Sequence, residues 1–220
     1  MKTLAVCLLC LAAAAAGTPL LAEDGSRWVL RGYGLWLSPA GDEVLVVRPG
    51  PGGAPERTTH SITEDGTGLG LALEYLWTPR LGVELGALAA ELDTDFRLEA
   101  GGGTSLTDTE TMGITAYTLG VNWHLRPGRR VEASLGAWTA LSFYDDVIFL
   151  TEAGRREKVF VDDDYGFGVK AALDVPFGRR RAWRFASDLR YLVTILESEV
   201  PGQDLELSPL ILTAGVGYRF

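Results

Sequence analysis

A His-centred catalytic site would have to be built from two histidines, the number this sequence of 220 residues contains. His60 stands next to Ser61, the residue types of a base and a hydrolytic nucleophile. Neighbours within one long polar loop are not held in the geometry that proton transfer needs, so the pair reads as loop composition. His124 adjoins Trp123, and Glu132 is expected near it across a short turn, which makes His124 a polar rim residue. Cys7 and Cys10 are the only cysteines. Without a His/Cys cluster at ligand spacing, no metal or other cofactor is expected. Asp145-Asp146 and Asp162-Asp163-Asp164 supply hard oxygen donors at one rim. A solvated acidic edge suits them better than divalent ions bridging to lipopolysaccharide. Whatever chemistry the chain performs must come from how its elements gather charged and apolar side chains.

The first element is an address. Lys2, the apolar run from Leu4 to Ala16, and small residues up to Ala22 ahead of Glu23-Asp24 have the order of a secretory signal peptide. Residues 1–22 are therefore expected to be removed, leaving 23–220 as one domain. Both cysteines leave with the signal, which excludes a disulfide framework and a cysteine nucleophile. The formal charge of -9 becomes -10 with the loss of Lys2. An acidic chain without a basic run is unsuited to nucleic acid. No later apolar stretch reaches the ~18 residues of a membrane helix. At 47% hydrophobic residues the chain is nonetheless too apolar to be disordered.

Alternation with a period of two reconciles these facts. Leu210, Leu212, Ala214, Val216, Tyr218 and Phe220 alternate with Ile211, Thr213, Gly215, Gly217 and Arg219. The same pattern recurs over 166–177, 184–194, 131–144, 112–125, 81–92 and 67–77, with a less regular segment over 28–37. Each has about the ~9–11 residues of a tilted strand crossing a bilayer. Short turns at 78–80, 126–130 and 178–181 alternate with long polar loops at 38–66, 93–111, 145–165 and 197–206. Trp28, Trp77, Trp123, Phe177, Trp183 and Phe220 all fall at the short-turn end, where an interfacial aromatic girdle belongs. The fold class expected is all-β: an eight-stranded antiparallel up-and-down transmembrane barrel of the bacterial outer membrane, with short turns in the periplasm. Alternation alone also permits a soluble lipocalin-like barrel. That fold would turn the apolar face inward and set Glu74, Glu84, Lys170, Asp188 and Arg190 outside. The signal, the one-sided aromatics and the terminal Phe220 favour the membrane.

Strand parity and direction then give each inward residue a depth. Arg31, Glu74, Glu84, Glu132, Asp174, Arg184, Asp188 and Arg219 fall in the periplasmic half of the lumen, with Lys170 and Arg190 nearer mid-height. Five acids and five bases cannot stay isolated in a low-dielectric interior, so an ion-pair network closing the lower lumen is expected. Leu35, Leu88, Ile114, Leu192 and Ile211 fall in the upper half, with Trp138 near mid-height. They either host a small hydrophobic solute or simply fill a narrow barrel. The arginines of the turns, including Arg80, Arg126, Arg129, Arg130 and Arg179 to Arg181, are expected to anchor the barrel at the interface.

Four stretches resemble the OmpW family of small outer-membrane barrels: RWVLRGYGLWLSP at Arg27 to Pro39, DGTGLGLALEYLWTPRLGVELGAL at Asp65 to Leu88, DDDYGFGVKAALDVPF at Asp162 to Phe177, and SPLILTAGVGYRF at Ser208 to Phe220. Departures fall at RPGPGGAPER, Arg48 to Arg57, and at Gly101 to Gly103. The resemblance implies a narrow channel whose lumen takes small hydrophobic molecules. Its partners are then outer-membrane lipids, lipopolysaccharide and the solute. Phe220 is a terminal aromatic of the type that the outer-membrane assembly machinery reads. Two alternatives stay open: a structural or adhesive barrel without transport, and a lipid-modifying membrane enzyme.

Overall fold

The computed structural model describes residues 27–39, 43–48, 57–100, 104–125, 127–145, 147–150, 156–159, 164–194 and 208–220, with side chains outside 43–63, 94–110, 147–164 and 194. The signal segment lies outside the described residues. Among the described residues twelve strands follow one another: β1 (Trp28–Ser38), β2 (Glu43–Arg48), β3 (Arg57–Thr63), β4 (Gly66–Thr78), β5 (Leu81–Ala100), β6 (Thr104–His124), β7 (Glu132–Tyr144), β8 (Val147–Leu150), β9 (Arg156–Val159), β10 (Asp164–Phe177), β11 (Trp183–Thr194) and β12 (Leu210–Arg219). Eight of them close a ring in the order β5-β4-β1-β12-β11-β10-β7-β6, with β6 returning to β5. All pairings in the ring are antiparallel. The ring shuts where β1 meets β12, and Trp28 and Phe220 exchange backbone hydrogen bonds of 3.2 and 3.0 Å.

Facing follows the period-two pattern. Leu69, Leu85, Phe167 and Val169 point outward at 57%, 59%, 71% and 62% exposure, while Glu74, Arg184 and Arg190 point inward at 0%, 2% and 2%. In water this arrangement is inside out, since it exposes apolar surface and buries charge. In a bilayer both choices are favourable, and ring closure leaves no unpaired edge in lipid. The soluble-barrel alternative required the opposite facing.

The short turns are locally determined. Thr78 Oγ1 accepts from the backbone N–H of Arg80 and of Leu81 at 3.2 and 3.0 Å, closing β4–β5. The turns after β6 and β10 use Gly128 and Gly178 with φ of 76° and 79°, a left-handed backbone that glycine adopts without strain.

At the opposite end the segments expected as long polar loops contain further strands. β5 and β6 pair continuously from Leu81↔Trp123 to Ala100↔Thr104, so one ribbon stands well beyond the barrel and contains most of the segment expected to be a loop at 93–111. β3 joins the flank of β5, with Thr58 opposite Glu99 and Thr63 opposite Thr94, and β2 pairs with β3. β8 and β9 form a separate hairpin inside 145–165. The extension of β5 keeps the alternation, with Phe96, Leu98 and Ala100 set against Asp95, Arg97 and Glu99, whereas Arg57 to Thr63 holds Ile62 as its one large apolar residue and shows no such period. The fourth segment, 197–206, lies outside the described residues.

Candidate functional site in the barrel lumen

The short-turn half of the lumen is a connected set of ion pairs. Arg31 on β1 reaches Glu74 on β4 at 2.8 Å, Asp174 on β10 at 2.8 Å and Glu84 on β5 at 3.4 Å. Lys170 donates to Glu84 Oε1 at 2.7 Å. Arg184 on β11 holds Glu132 on β7 at 2.9 Å and Asp174 at 3.3 Å. Arg190 grips Asp188 through two hydrogen bonds of 2.7 and 2.9 Å and approaches Glu84 at 3.9 Å. From β6, Asn122 donates to Glu74 and Glu84 at 2.8 and 3.1 Å, and His124 Nε2 lies 2.9 Å from Glu74 Oε1. The network therefore ties most of the ring together across its bore. Charges of both signs in contact offset each other's desolvation, whereas removing one member strands the others.

Above the network the lining changes character at Arg190. Its guanidinium lies 5.1 Å from the ring centre of Tyr33 and 5.7 Å from that of Trp138, two cation–π contacts that cap the charged region with aromatic surface. Trp138 is held from its far edge by Nε1 donating to the Val169 carbonyl at 3.3 Å. Beyond it, Leu35, Leu37, Leu88, Ile114, Leu192 and Ile211 form a buried apolar cluster. Within the cluster is a cavity of about 20 Å³ lined by Leu37, Leu88, Ile114, Trp138, Leu192 and Ile211, with Ser142, Tyr144 and Pro209 also on its wall. A volume that small holds about one water molecule.

The structure brings the ten expected charged residues together, nine of them buried and Arg219 half-buried. It places all six expected apolar residues in the upper cluster, although Leu35 does not line the cavity. His124 is different from the expectation. It is 4% exposed and points into the lumen, and its partner is Glu74 rather than Glu132. Glu132 is engaged by Arg184 and by the Gly128 backbone N–H. The inward register of β6, shared with Ile114, was the available signal for both His124 and Asn122. The same reasoning on β1, between Arg31 and Leu35, locates Tyr33. Of the acidic-rim residues, Asp145 is exposed, Asp146, Asp162 and Asp163 lie outside the described residues, and Asp164 begins β10. His60, expected in the first long polar loop, lies on β3.

Comparison with known proteins agrees with the barrel fold. A family described as the OmpW family matches residues 49–220, so the stretch at Arg27 to Pro39 precedes the matched region. Among solved structures, the outer membrane protein OprG from Pseudomonas aeruginosa superposes with a TM-score of 0.61 at 15% identity, covering 89% of this chain and 96% of that one. The outer membrane protein AlkL, solved in lipid bilayers, gives 0.57 at 17% identity, covering 93% and 94%. At such identities the likeness is one of fold. No curated protein sequence matches the chain at a significant level.

Proposed function

The chain belongs to the OmpW family and is an eight-stranded barrel of the bacterial outer membrane, and from that premise we propose that its lumen passes small hydrophobic molecules. The observation that carries this reading is the apolar cavity seated directly on a charged floor. A solute entering from the long-loop end meets Leu88, Ile114, Leu192 and Ile211, then Trp138, and is stopped by ion pairs it cannot solvate. It leaves sideways, into the bilayer. The cavity is the resting form: a benzene-sized guest takes on the order of 150 Å³, so the upper side chains must part to admit one. On this reading the protein is not an enzyme, and His124 is bonded to Glu74 in the lumen network rather than serving a nucleophile.

Residues 1–22 act as the export signal, 23–220 form the barrel domain, and Phe220 is the residue offered to the assembly machinery. Outer-membrane lipids and lipopolysaccharide surround it, with no cofactor.

Uptake of a small apolar dye precursor into liposomes tests transport. Leu88→Asp and Ile114→Asp each put a charge on the cavity wall and are expected to lower uptake at least tenfold relative to the parent barrel. Unchanged uptake refutes the route. A second reading, a structural or adhesive barrel without transport, is favoured by the smallness of the cavity, and it predicts that the parent barrel gives no more uptake than protein-free liposomes.

A further inference from the structure

The four corners of the ring at its short-turn end repeat one pattern. Where β1 meets β12, exposed Arg27 precedes Trp28; at β4–β5, Trp77 is followed by Arg80; at β6–β7, Trp123 is followed by Arg129 and Arg130; at β10–β11, Arg179 to Arg181 precede Trp183. The four tryptophans are 41%, 68%, 61% and 50% exposed on the outer face. A tryptophan ring settles at the depth of the interface, so an arginine one step further out stands at the level of the phosphates. Arg27 shows the geometry directly: its Nη1 donates to the outward Tyr75 hydroxyl at 3.3 Å, and Tyr75 packs on Trp28 at 4.7 Å between ring centres. No carboxylate side chain is exposed among the described residues of this end. The opposite rim is the reverse, with Glu64, Asp65, Glu91, Asp93 and Asp145 exposed and no exposed cation among its described side chains.

We propose that this Trp–Arg collar is a binding site for the phosphate-bearing headgroups of anionic phospholipids in the periplasmic leaflet. A guanidinium presents paired donors that match phosphate oxygens, and a net negative headgroup leaves charge to be neutralised where a zwitterionic one does not. Four corners with the same chemistry make a ring of first-contact lipids rather than one pocket. The acidic opposite rim repels the same headgroups, so the barrel distinguishes its two leaflets by charge.

The test uses the whole barrel refolded into phosphatidylcholine vesicles, in a Trp36→Phe background so that the lipid-facing tryptophans left are those of the collar. Fluorescence quenching by brominated phosphatidylglycerol, compared with brominated phosphatidylcholine, gives the relative affinity of the two lipids. About a fivefold preference for the anionic lipid is expected at low salt, the effect of one basic residue at an anionic surface. It should fall towards one at ~1 M salt, where the screening length is ~3 Å. Joint replacement Arg129→Gln, Arg130→Gln, Arg179→Gln, Arg180→Gln and Arg181→Gln should remove most of the preference, and the matching lysine variant should keep part of it. Equal quenching by the two lipids in the parent barrel overturns the proposal, as does a preference indifferent to salt or to the glutamine replacements. Should the glutamine variant fail to fold, the salt series on the parent decides alone. Absence of lipid preference together with co-sedimentation on purified peptidoglycan would assign the collar to the cell wall and overturn it equally.

Discussion

Replacing Arg31 with methionine keeps the length of the side chain and removes the cation on which three carboxylates converge. Glu84 then still has Lys170 at 2.7 Å, and Asp174 still has Arg184 at 3.3 Å. Glu74, which is fully buried, is left with His124 and Asn122 at 2.9 and 2.8 Å and no permanent cation. Stranding a buried charge costs about 3–5 kcal/mol, so Arg31→Met should lower the unfolding free energy by about 4 kcal/mol. At an m-value of about 2 kcal/mol/M, that moves a urea midpoint down by about 2 M. The assay is reversible urea unfolding in lipid vesicles, followed by tryptophan fluorescence. Partner replacements sharpen the outcome. In the Arg31→Met background, Glu74→Gln deletes the stranded charge and keeps its polar bonds, and should recover about 2 kcal/mol. Asp174→Asn should recover less, because Arg184 already balances that carboxylate. A loss under about 1 kcal/mol for Arg31→Met, or equal recovery by the two partners, would refute the account of the floor as a coupled network.

Other consequences follow from single contacts. Trp138→Ala removes the aromatic cap over Arg190 and enlarges the cavity, so it should cost about 3–5 kcal/mol by the same urea assay and admit bulkier apolar solutes in liposome uptake. A Cβ at Gly215 would overlap the Gly32 carbonyl and crowd Tyr33 Cα, so Gly215→Ala should destabilise the closing seam by about 1–3 kcal/mol. Loss of the heat-dependent gel shift of the folded barrel reports it. Phe220→Ala should reduce the assembled fraction in cells while leaving refolding into vesicles nearly unchanged, since the exchange with Trp28 uses only its backbone.

Much of the barrel was legible because lipid enforces parity. From Leu81 to Ala90, or from Arg184 to Leu192, each side chain has one permissible face, and one residue of slip would put charge into hydrocarbon. Past Leu92 the hydropathy signal thins: Phe96, Leu98 and Ala100 still alternate with Asp95, Arg97 and Glu99, but Arg57 to Thr63, which pairs with β5 just as regularly, holds Ile62 as its one large apolar residue and shows no period. The lumen was legible to the same depth and no further. Parity places Glu74, Glu132 and His124 inside, but which carboxylate the imidazole meets depends on how far neighbouring strands are staggered, a property of the closed ring. Hence Glu132, close to His124 in sequence, goes to Arg184, and Glu74, distant in sequence, takes the imidazole.

The seam between Trp28 and Phe220 sets the order in which the molecule can be made. Neighbouring strands such as β10 and β11 can pair as soon as both exist, but the contact between β1 and β12 spans the whole described length and must wait for β12. Until then two bare strand edges persist, each able to pair with any extended segment nearby. The slowest contact by chain separation is thus also the one that removes the hazard. A factor escorting this chain has little to teach it about its hairpins; its useful task is to occupy the two ends until they find one another.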